Sequence, residues 1–248
     1  MKVAVSGAAG RMGLLVAAAV DEAEDLDLVV RYDPATVDAR GMTADPEAVG
    51  AADVVVEFTE PDVVMANLER WRRLGVHAVV GTSGFTGDRI NEVRRGWGSG
   101  PPNCLIAPNF SVGAVLMMRF AELAAPHFAA AEVVELHHDR KVDAPSGTAV
   151  NTAERIAAAN PSQRRHVESQ EVIDGARGAA VHGVPVHGIR LPGLLAHQQV
   201  LLGNEGELLT IRHDTTDRMS FMTGVLLAVR GVADLPGVTV GIDGLLGV

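Results

Sequence analysis

The sequence predicts an α/β fold in two parts: a parallel sheet flanked by helices, followed by an α+β segment built on a mixed sheet. Three observations carry this. Val-rich apolar runs alternate with helix-like segments through the first hundred residues, as in a parallel sheet covered on both faces. A glycine-spaced turn, Gly7-Ala8-Ala9-Gly10-Arg11-Met12-Gly13, joins the first run to the first helix. Beyond residue 180, three strand-like runs follow one another with no helix between them, which requires antiparallel or mixed pairing.

In chain order, residues 3–5 read as a strand, 11–23 as a helix and 28–30 as a strand that stops at Asp33-Pro34, where proline cannot continue a ladder. Residues 53–58 are a strand, 61–74 a helix closed by Gly75, 77–80 a strand cut off by Gly81, 87–96 a helix and 104–106 a strand. The second part begins with a helix over 112–125, closed by Pro126, and a strand over 132–137. An alanine-rich helix over 148–159 ends at Asn160-Pro161. Strands over 184–191, 197–202 and 207–212 follow, the last two joined by the turn Gly203-Asn204-Glu205-Gly206. A helix over 218–229 and a strand over 238–242 finish the chain, the strand being able to rejoin the first sheet. Loops are expected over 157–169 and 175–178. The domains expected are 1–108 with 216–248, and 109–215.

Composition bounds the function. With 248 residues and 47% hydrophobic content, the chain can bury a full core. A net charge of −10 and the lack of a Lys/Arg-rich run argue against nucleic acid or an anionic membrane surface as partner. No apolar stretch approaches the roughly 20 residues needed to span a bilayer. The single Cys104 cannot form an intramolecular disulfide, and no Cys/His cluster points to a metal; a reduced, cytoplasmic setting fits. His182, His187, His197 and His213 lack metal-ligand spacing and read as core or surface residues.

Chemistry concentrates at two places. The glycine turn lies between a strand and a helix, where backbone N–H groups and the helix start can receive a pyrophosphate. Its spacing is GxxGxxG, and Asp33 falls twenty positions after Gly13, where a carboxylate reaches ribose hydroxyls. Phe58-Thr59, Gly81-Thr82-Ser83-Gly84 and Ala107-Pro108-Asn109-Phe110 close the neighbouring strands at the ligand-binding edge of such a sheet. The first domain is therefore expected to be Rossmann-type and to bind NADH or NADPH.

The second place is Glu135-Leu136-His137-His138-Asp139-Arg140-Lys141-Val142-Asp143-Ala144-Pro145-Ser146-Gly147-Thr148. Ser146-Gly147-Thr148 opens a helix whose free N–H groups make an anion site. Lys141 and His138 add positive charge and donors, which suits a small dicarboxylate, and His137 or Lys141 is available as proton donor.

This stretch resembles the signature of the 4-hydroxy-tetrahydrodipicolinate reductase (dihydrodipicolinate reductase) family. Gly7 to Gly13, Glu57-Phe58-Thr59, Gly81-Thr82-Ser83-Gly84 and Asn109-Phe110-Ser111-Val112-Gly113 accompany it in order, and the compact length resembles the actinobacterial form. The resemblance implies an oxidoreductase of the diaminopimelate route to lysine, moving a hydride from NADH or NADPH to C4 of a cyclic dicarboxylate with loss of water. It implies His137 and Lys141 as catalytic residues and His138, Ser146, Gly147 and Thr148 as substrate-binding residues. The cofactor segments implied are Gly7, Ala8, Ala9, Gly10, Arg11, Met12, Asp33, Phe58, Gly81, Thr82, Ser83, Ala107, Pro108, Asn109 and Phe110. No metal is implied, and the assembly expected is a homotetramer formed through the second sheet. Arg140 stands where the family often has His, and Pro34 where some members have Arg, so the cofactor choice between NADH and NADPH stays open. Two rivals compete: another small-acid NAD-dependent dehydrogenase, and a non-catalytic NAD(H) sensor.

Overall fold

Valine runs build the first sheet, because β-branched side chains pack well on a pleated surface buried on both faces. In the computed structural model, which describes residues 1–35, 41–161 and 168–248, these runs are β1 (Lys2–Ser6), β2 (Asp27–Tyr32), β3 (Val54–Glu57), β4 (His77–Val80) and β5 (Cys104–Ile106). Helices α1 (Arg11–Asp21), α2 (Val64–Arg73) and α3 (Gly87–Trp97) alternate with them. Val3, Val5, Val54, Val55, Val56, Val79 and Val80 are all fully buried. Trp71 of α2 is buried with them, its ring edge-on to Tyr32 at 5.7 Å. The ends of α3 show why that segment is helical: Thr86 caps the Arg89 N–H, Asp88 lies in the first turn, Arg94 and Arg95 in the last, and Gly98 takes φ +91° beyond it. Cys104 is buried, and burial pushes its thiol pKa up.

The second unit, Val112–Ser220, starts with α4 (Val112–Ala124), β6 (Ala130–His137) and α5 (Gly147–Ala159). Strands β7 (Ala179–Val181), β8 (Val184–Arg190), β9 (Ala196–Asn204) and β10 (Glu207–Thr215) complete a five-stranded sheet in the order β10-β9-β6-β8-β7. It is mixed: β6 and β8 are parallel, and the other neighbours are antiparallel. Helices α4 and α5 pack on the sheet. The face that includes Ala131, Val133, Glu135, Val200 and Leu202 is buried, whereas Ile189 and Leu208 are exposed.

The first unit is Met1–Ser111 together with Phe221–Val248. After a 3-10 turn over Arg218–Phe221 come α6 (Met222–Gly231), β11 (Val238–Val240) and α7 (Asp243–Leu246). β11 pairs in parallel with β5 and gives the sheet order β11-β5-β4-β3-β1-β2. Asn103 locks this return, its buried amide donating to the carbonyls of Val232 and Ala233 at 3.2 and 2.9 Å. Gly224 lets α6 approach closely, since a Cβ there would lie 2.0 Å from the Phe110 carbonyl oxygen.

Where structure and sequence reading differ, local geometry explains it. The helix expected from residue 61 starts at Val64, because the Val63 and Val64 amides both turn back to the Glu60 carbonyl. The helix expected from residue 218 begins at Met222, after the 3-10 turn. A 3-10 turn over Pro46–Ala51, capped by Asp45, was not foreseen, nor was the three-residue β7. β7 pairs with β8 across His182-Gly183, both at positive φ (47° and 79°), a two-residue reversal that a His does not advertise. The loop expected over 157–169 is helix up to Ala159, and its residues 162–167 lie outside the described residues.

Candidate functional site

At the C-terminal ends of β1, β3, β4 and β5 the first unit holds a cavity of about 600 Å³. The sheet order reverses direction between β1 and β3, the position where open α/β sheets receive ligands. The glycine turn is built by close approach. Gly7 takes φ +79°, and its amide and that of Ala8 both donate to the Tyr32 carbonyl at 3.0 and 3.1 Å. A Cβ on Gly13 would sit 2.1 Å from the Gly7 carbonyl oxygen, and one on Gly7 2.3 Å from that of Phe58. Gly10 is the N-cap of α1 and supplies no side-chain cap, which leaves the helix start open to an anion.

Of the residues expected to hold cofactor, Gly10, Arg11, Met12, Phe58, Gly81, Thr82, Ser83, Ala107, Pro108, Asn109 and Phe110 line this cavity. Gly7 and Ala8 are buried behind it and form the turn. Asp33 is 8% exposed, and its carboxylate accepts the amides of Ala9 and Ala35, both at 3.0 Å. The Thr82 hydroxyl is turned inward, accepting the Thr59 amide at 2.9 Å and donating to the Glu57 carbonyl. Thr82 therefore shapes the wall. Phe58 and Phe110 stand with ring centroids 5.7 Å apart on either side of Gly81, where any Cβ would strike the Phe58 ring at 2.2 Å. An uncapped helix start, glycines that side chains could not replace and an acid at the end of β2 together fit a dinucleotide.

Thr59, read from the sequence as a strand-end residue at the ligand edge, also lines the cavity, and sequence reasoning missed Glu60 and Phe221, which line it as well. It missed the support beneath them as well. Glu57 is fully buried, accepts the Trp71 indole N–H at 2.8 Å and the Asn67 amide at 3.2 Å, and receives the Thr59 hydroxyl. A carboxylate ending a Val-Val-Val strand is the signal that could have found it, because strand interiors seldom hold an acid without partners.

In the second unit several of the residues expected to donate a proton or hold an anion gather around Glu135 of β6, which is fully buried. His137 Nδ1 lies 2.5 Å from Glu135 Oε2. Arg190 of β8 forks onto both carboxylate oxygens at 2.8 Å, and the Ser146 amide donates to Oε1 at 3.2 Å. Burial pushes the Glu135 carboxyl pKa up, but His137 and Arg190 outweigh it and hold the group down at about 2. Ser146 caps α5 by accepting the Ala149 amide at 3.2 Å. Gly147 is exposed, and a Cβ there would meet nothing within 4 Å, so the helix start is open to a ligand. Thr148 accepts the Thr152 hydroxyl at its carbonyl.

His138 and Lys141 are brought close in sequence but differ in state. The Nδ1 atom of His138 is buried with no hydrogen-bond partner among the described residues. The Lys141 ammonium is chelated by Asp143 at 2.7 and 2.8 Å, and this lysine holds the Asp143 carboxyl pKa below its ordinary value. Arg190 and Glu135, 55 residues apart, meet only through the parallel pairing of β6 with β8. Glu135 shares the buried period-two face of β6 with Ala131 and Val133. His187 pairs with Glu132 and His197 with Asp214, and no group of metal-ligating side chains occurs among the described residues.

Comparison with known proteins agrees with this arrangement. Residues 1–110 match the family model described as dihydrodipicolinate reductase, N-terminus, and residues 113–246 the one described as dihydrodipicolinate reductase, C-terminus. The chain is 55% identical over 255 residues to the 4-hydroxy-tetrahydrodipicolinate reductase of Cutibacterium acnes, covering 100% of this chain and 99% of that one. It is 51% identical over 249 residues to that of Mycolicibacterium gilvum, covering 99% of each. The dipicolinate-bound dihydrodipicolinate reductase from Paenisporosarcina sp. TG-14 superposes with a TM-score of 0.85 at 37% identity, covering 98% of both chains. The apo scyllo-inositol dehydrogenase of Lactobacillus casei, at 12% identity and a TM-score of 0.61 over 100% of this chain and 92% of that one, shares the fold alone. The chain belongs to the dihydrodipicolinate reductase family.

Proposed function

We propose that the protein reduces 4-hydroxy-tetrahydrodipicolinate to tetrahydrodipicolinate, in the diaminopimelate route to lysine. A hydride and a proton are taken up, and the 4-hydroxyl leaves as water. The observation that carries this is the Glu135–His137 pair beside the open start of α5, in a chain whose relatives bear that activity as their name. NADH or NADPH, held at the glycine turn, supplies the hydride. The chain's own residues do the rest. Gly147, Thr148 and His138 hold the substrate carboxylates, Ser146 sets the turn that presents the first two, and His137 with Lys141 manages the proton. A dicarboxylate fits the second unit because its helix dipole and basic side chains favour two negative charges, and a solved relative is described as dipicolinate-bound.

His137 is the better-defined proton carrier, its ring being fixed through Nδ1. Lys141 offers charge and a proton once its hold on Asp143 is exchanged for substrate. We take the cofactor segment to be Gly7 to Met12 with Asp33, Phe58, residues 81–83 and residues 107–110, and the domains to be 1–108 with 216–248 and 109–215. No helix among the described residues is long and apolar enough to cross a membrane. A cytoplasmic homotetramer is the assembly proposed; the lone buried Cys104 and the exposed apolar Ile189 and Leu208 support it. The test is NADH oxidation on addition of freshly prepared substrate: turnover supports the reading, and binding of NADH without turnover would identify a sensor instead.

A further inference from the structure

We propose that Glu135 is a positioning residue that fixes His137 with its proton on Nδ1, so that Nε2 is the atom exchanging protons with the substrate, and that the same carboxylate sets the anion-binding start of α5. The inference rests on the functional reading above and deepens it.

The geometry assigns each oxygen of the carboxylate. Oε2 receives His137 Nδ1 at 2.5 Å and Arg190 Nη1 at 2.8 Å. Oε1 receives Arg190 Nη2 at 2.8 Å and the Ser146 N–H at 3.2 Å. One buried group thus spans the end of β6, the edge of β8 and the first turn of α5. Its surroundings are made for it. Gly188 is the residue directly opposite in the β6–β8 register, and a Cβ there would press to 3.1 Å from Oε1. On the other side Gln198 of β9 is paired opposite Glu135, with its own amide directed to the Thr152 hydroxyl of α5 at 2.7 Å.

The titratable and charged groups facing Glu135 are His137 on its own strand and Arg190 on β8; Lys141 and Asp143 lie one step further out. Arg190 also donates to the Asp143 carbonyl at 2.6 Å, tying the loop that carries the Lys141–Asp143 pair to the same anchor. Because the Arg190 fork and the Ser146 N–H keep Glu135 ionised, it accepts at both oxygens, and the hydrogen between it and His137 belongs to the imidazole. A neutral imidazole with Nδ1 as donor must be an acceptor at Nε2, the division of labour by which a carboxylate orients a catalytic histidine. Arg190 keeps the carboxylate from swinging, since a bidentate fork fixes its plane as well as its position.

The experiment is ¹⁵N NMR of histidine-labelled wild-type enzyme at a pH where His137 is neutral, with the signals assigned by their loss in His137→Gln, alongside steady-state kinetics of Glu135→Gln. The expected wild-type spectrum shows His137 with hydrogen on Nδ1 and a bare Nε2. In Glu135→Gln that single tautomer is lost and kcat falls tenfold or more, while NADH binding stays within twofold. An Nε2–H tautomer in the wild type overturns the proposal, as does a variant with undiminished kcat, or one whose kcat falls with the tautomer intact. The wild-type spectrum decides even if Glu135→Gln does not fold. A wild type that ignores the substrate would strike the functional reading, and the tautomer would still decide the role of Glu135.

Discussion

Asp33 Oδ2 accepts the amide hydrogen of Ala9 at 3.0 Å, so the acid at the end of β2 braces the glycine turn that follows β1. The turn and the carboxylate proposed to read the ribose are therefore one mechanical piece. Asp33→Asn keeps an acceptor for Ala9 while removing the charge that would repel a 2′-phosphate. The ratio of kcat/KM for NADPH over NADH should rise about tenfold in this variant. Asp33→Ala should weaken both cofactors, because a hydrogen bond to an ionised group, worth roughly 1.5–3 kcal/mol, is lost from the turn itself. Steady-state kinetics of both variants with both cofactors measures this; an unchanged ratio in Asp33→Asn would show that Asp33 does not read the ribose.

Gly13 separates a backbone requirement from a side-chain preference. A Cβ there meets the Gly7 carbonyl oxygen at 2.1 Å and Ala8 Cα at 2.8 Å, main-chain atoms that cannot rotate away. Gly13→Ala should lower the unfolding midpoint by several degrees and weaken NADH more than tenfold. Gly10→Ala, whose Cβ would meet the same oxygen at 3.2 Å, should cost markedly less. Thermal unfolding and NADH titration of the two variants give the order, and equal penalties would contradict the close-approach argument.

Much of this was legible in the sequence because it is written in local pattern. The Val-rich strands, the Gly7–Gly10–Gly13 spacing and the Ser146 cap each lie within a few residues of the feature they create, so the parallel sheet, the turn and the start of α5 could be read directly. What was not legible depends on pairing over distance. Arg190 reaches Glu135 only once β6 and β8 lie side by side, and Trp71 reaches Glu57 only once α2 packs on β3. β7 escaped because a His at positive φ gives no turn signal. Lys141 shows the same limit: the local sequence put a cation beside the start of α5, while the structure places its ammonium on Asp143.

The anion site has its own test. At Gly147 an added Cβ meets nothing within 4 Å, so Gly147→Val should fold like the wild type. Its branched side chain would cover the first turn of α5, where the backbone N–H groups are to receive a carboxylate. The substrate KM should rise tenfold or more with NADH binding unchanged. A change confined to NADH binding would instead assign this turn to the dinucleotide.

Acid should expose Glu135. Its carboxyl is held at about 2, below the ordinary glutamate value of about 4.3, so the folded state binds its proton less readily than the unfolded chain does. The stability it contributes is present in full above about pH 5 and is lost as pH falls toward 2. Denaturant unfolding between pH 6 and pH 3 should show a steeper loss for wild type than for Glu135→Gln, by on the order of 1 to 2 kcal/mol. Parallel curves would contradict the ion-pair assignment.

The most direct measurement is the rate of NADH oxidation with freshly prepared 4-hydroxy-tetrahydrodipicolinate in wild type, His137→Ala and Lys141→Ala, with NADH affinity determined for each. The account predicts wild-type turnover, a loss of about 10²–10⁴-fold in each variant, the contribution of one positioned proton donor, and unaltered NADH affinity, since neither residue lines the dinucleotide cavity. Turnover near the wild-type rate in both variants, or none in the wild type itself, would contradict it.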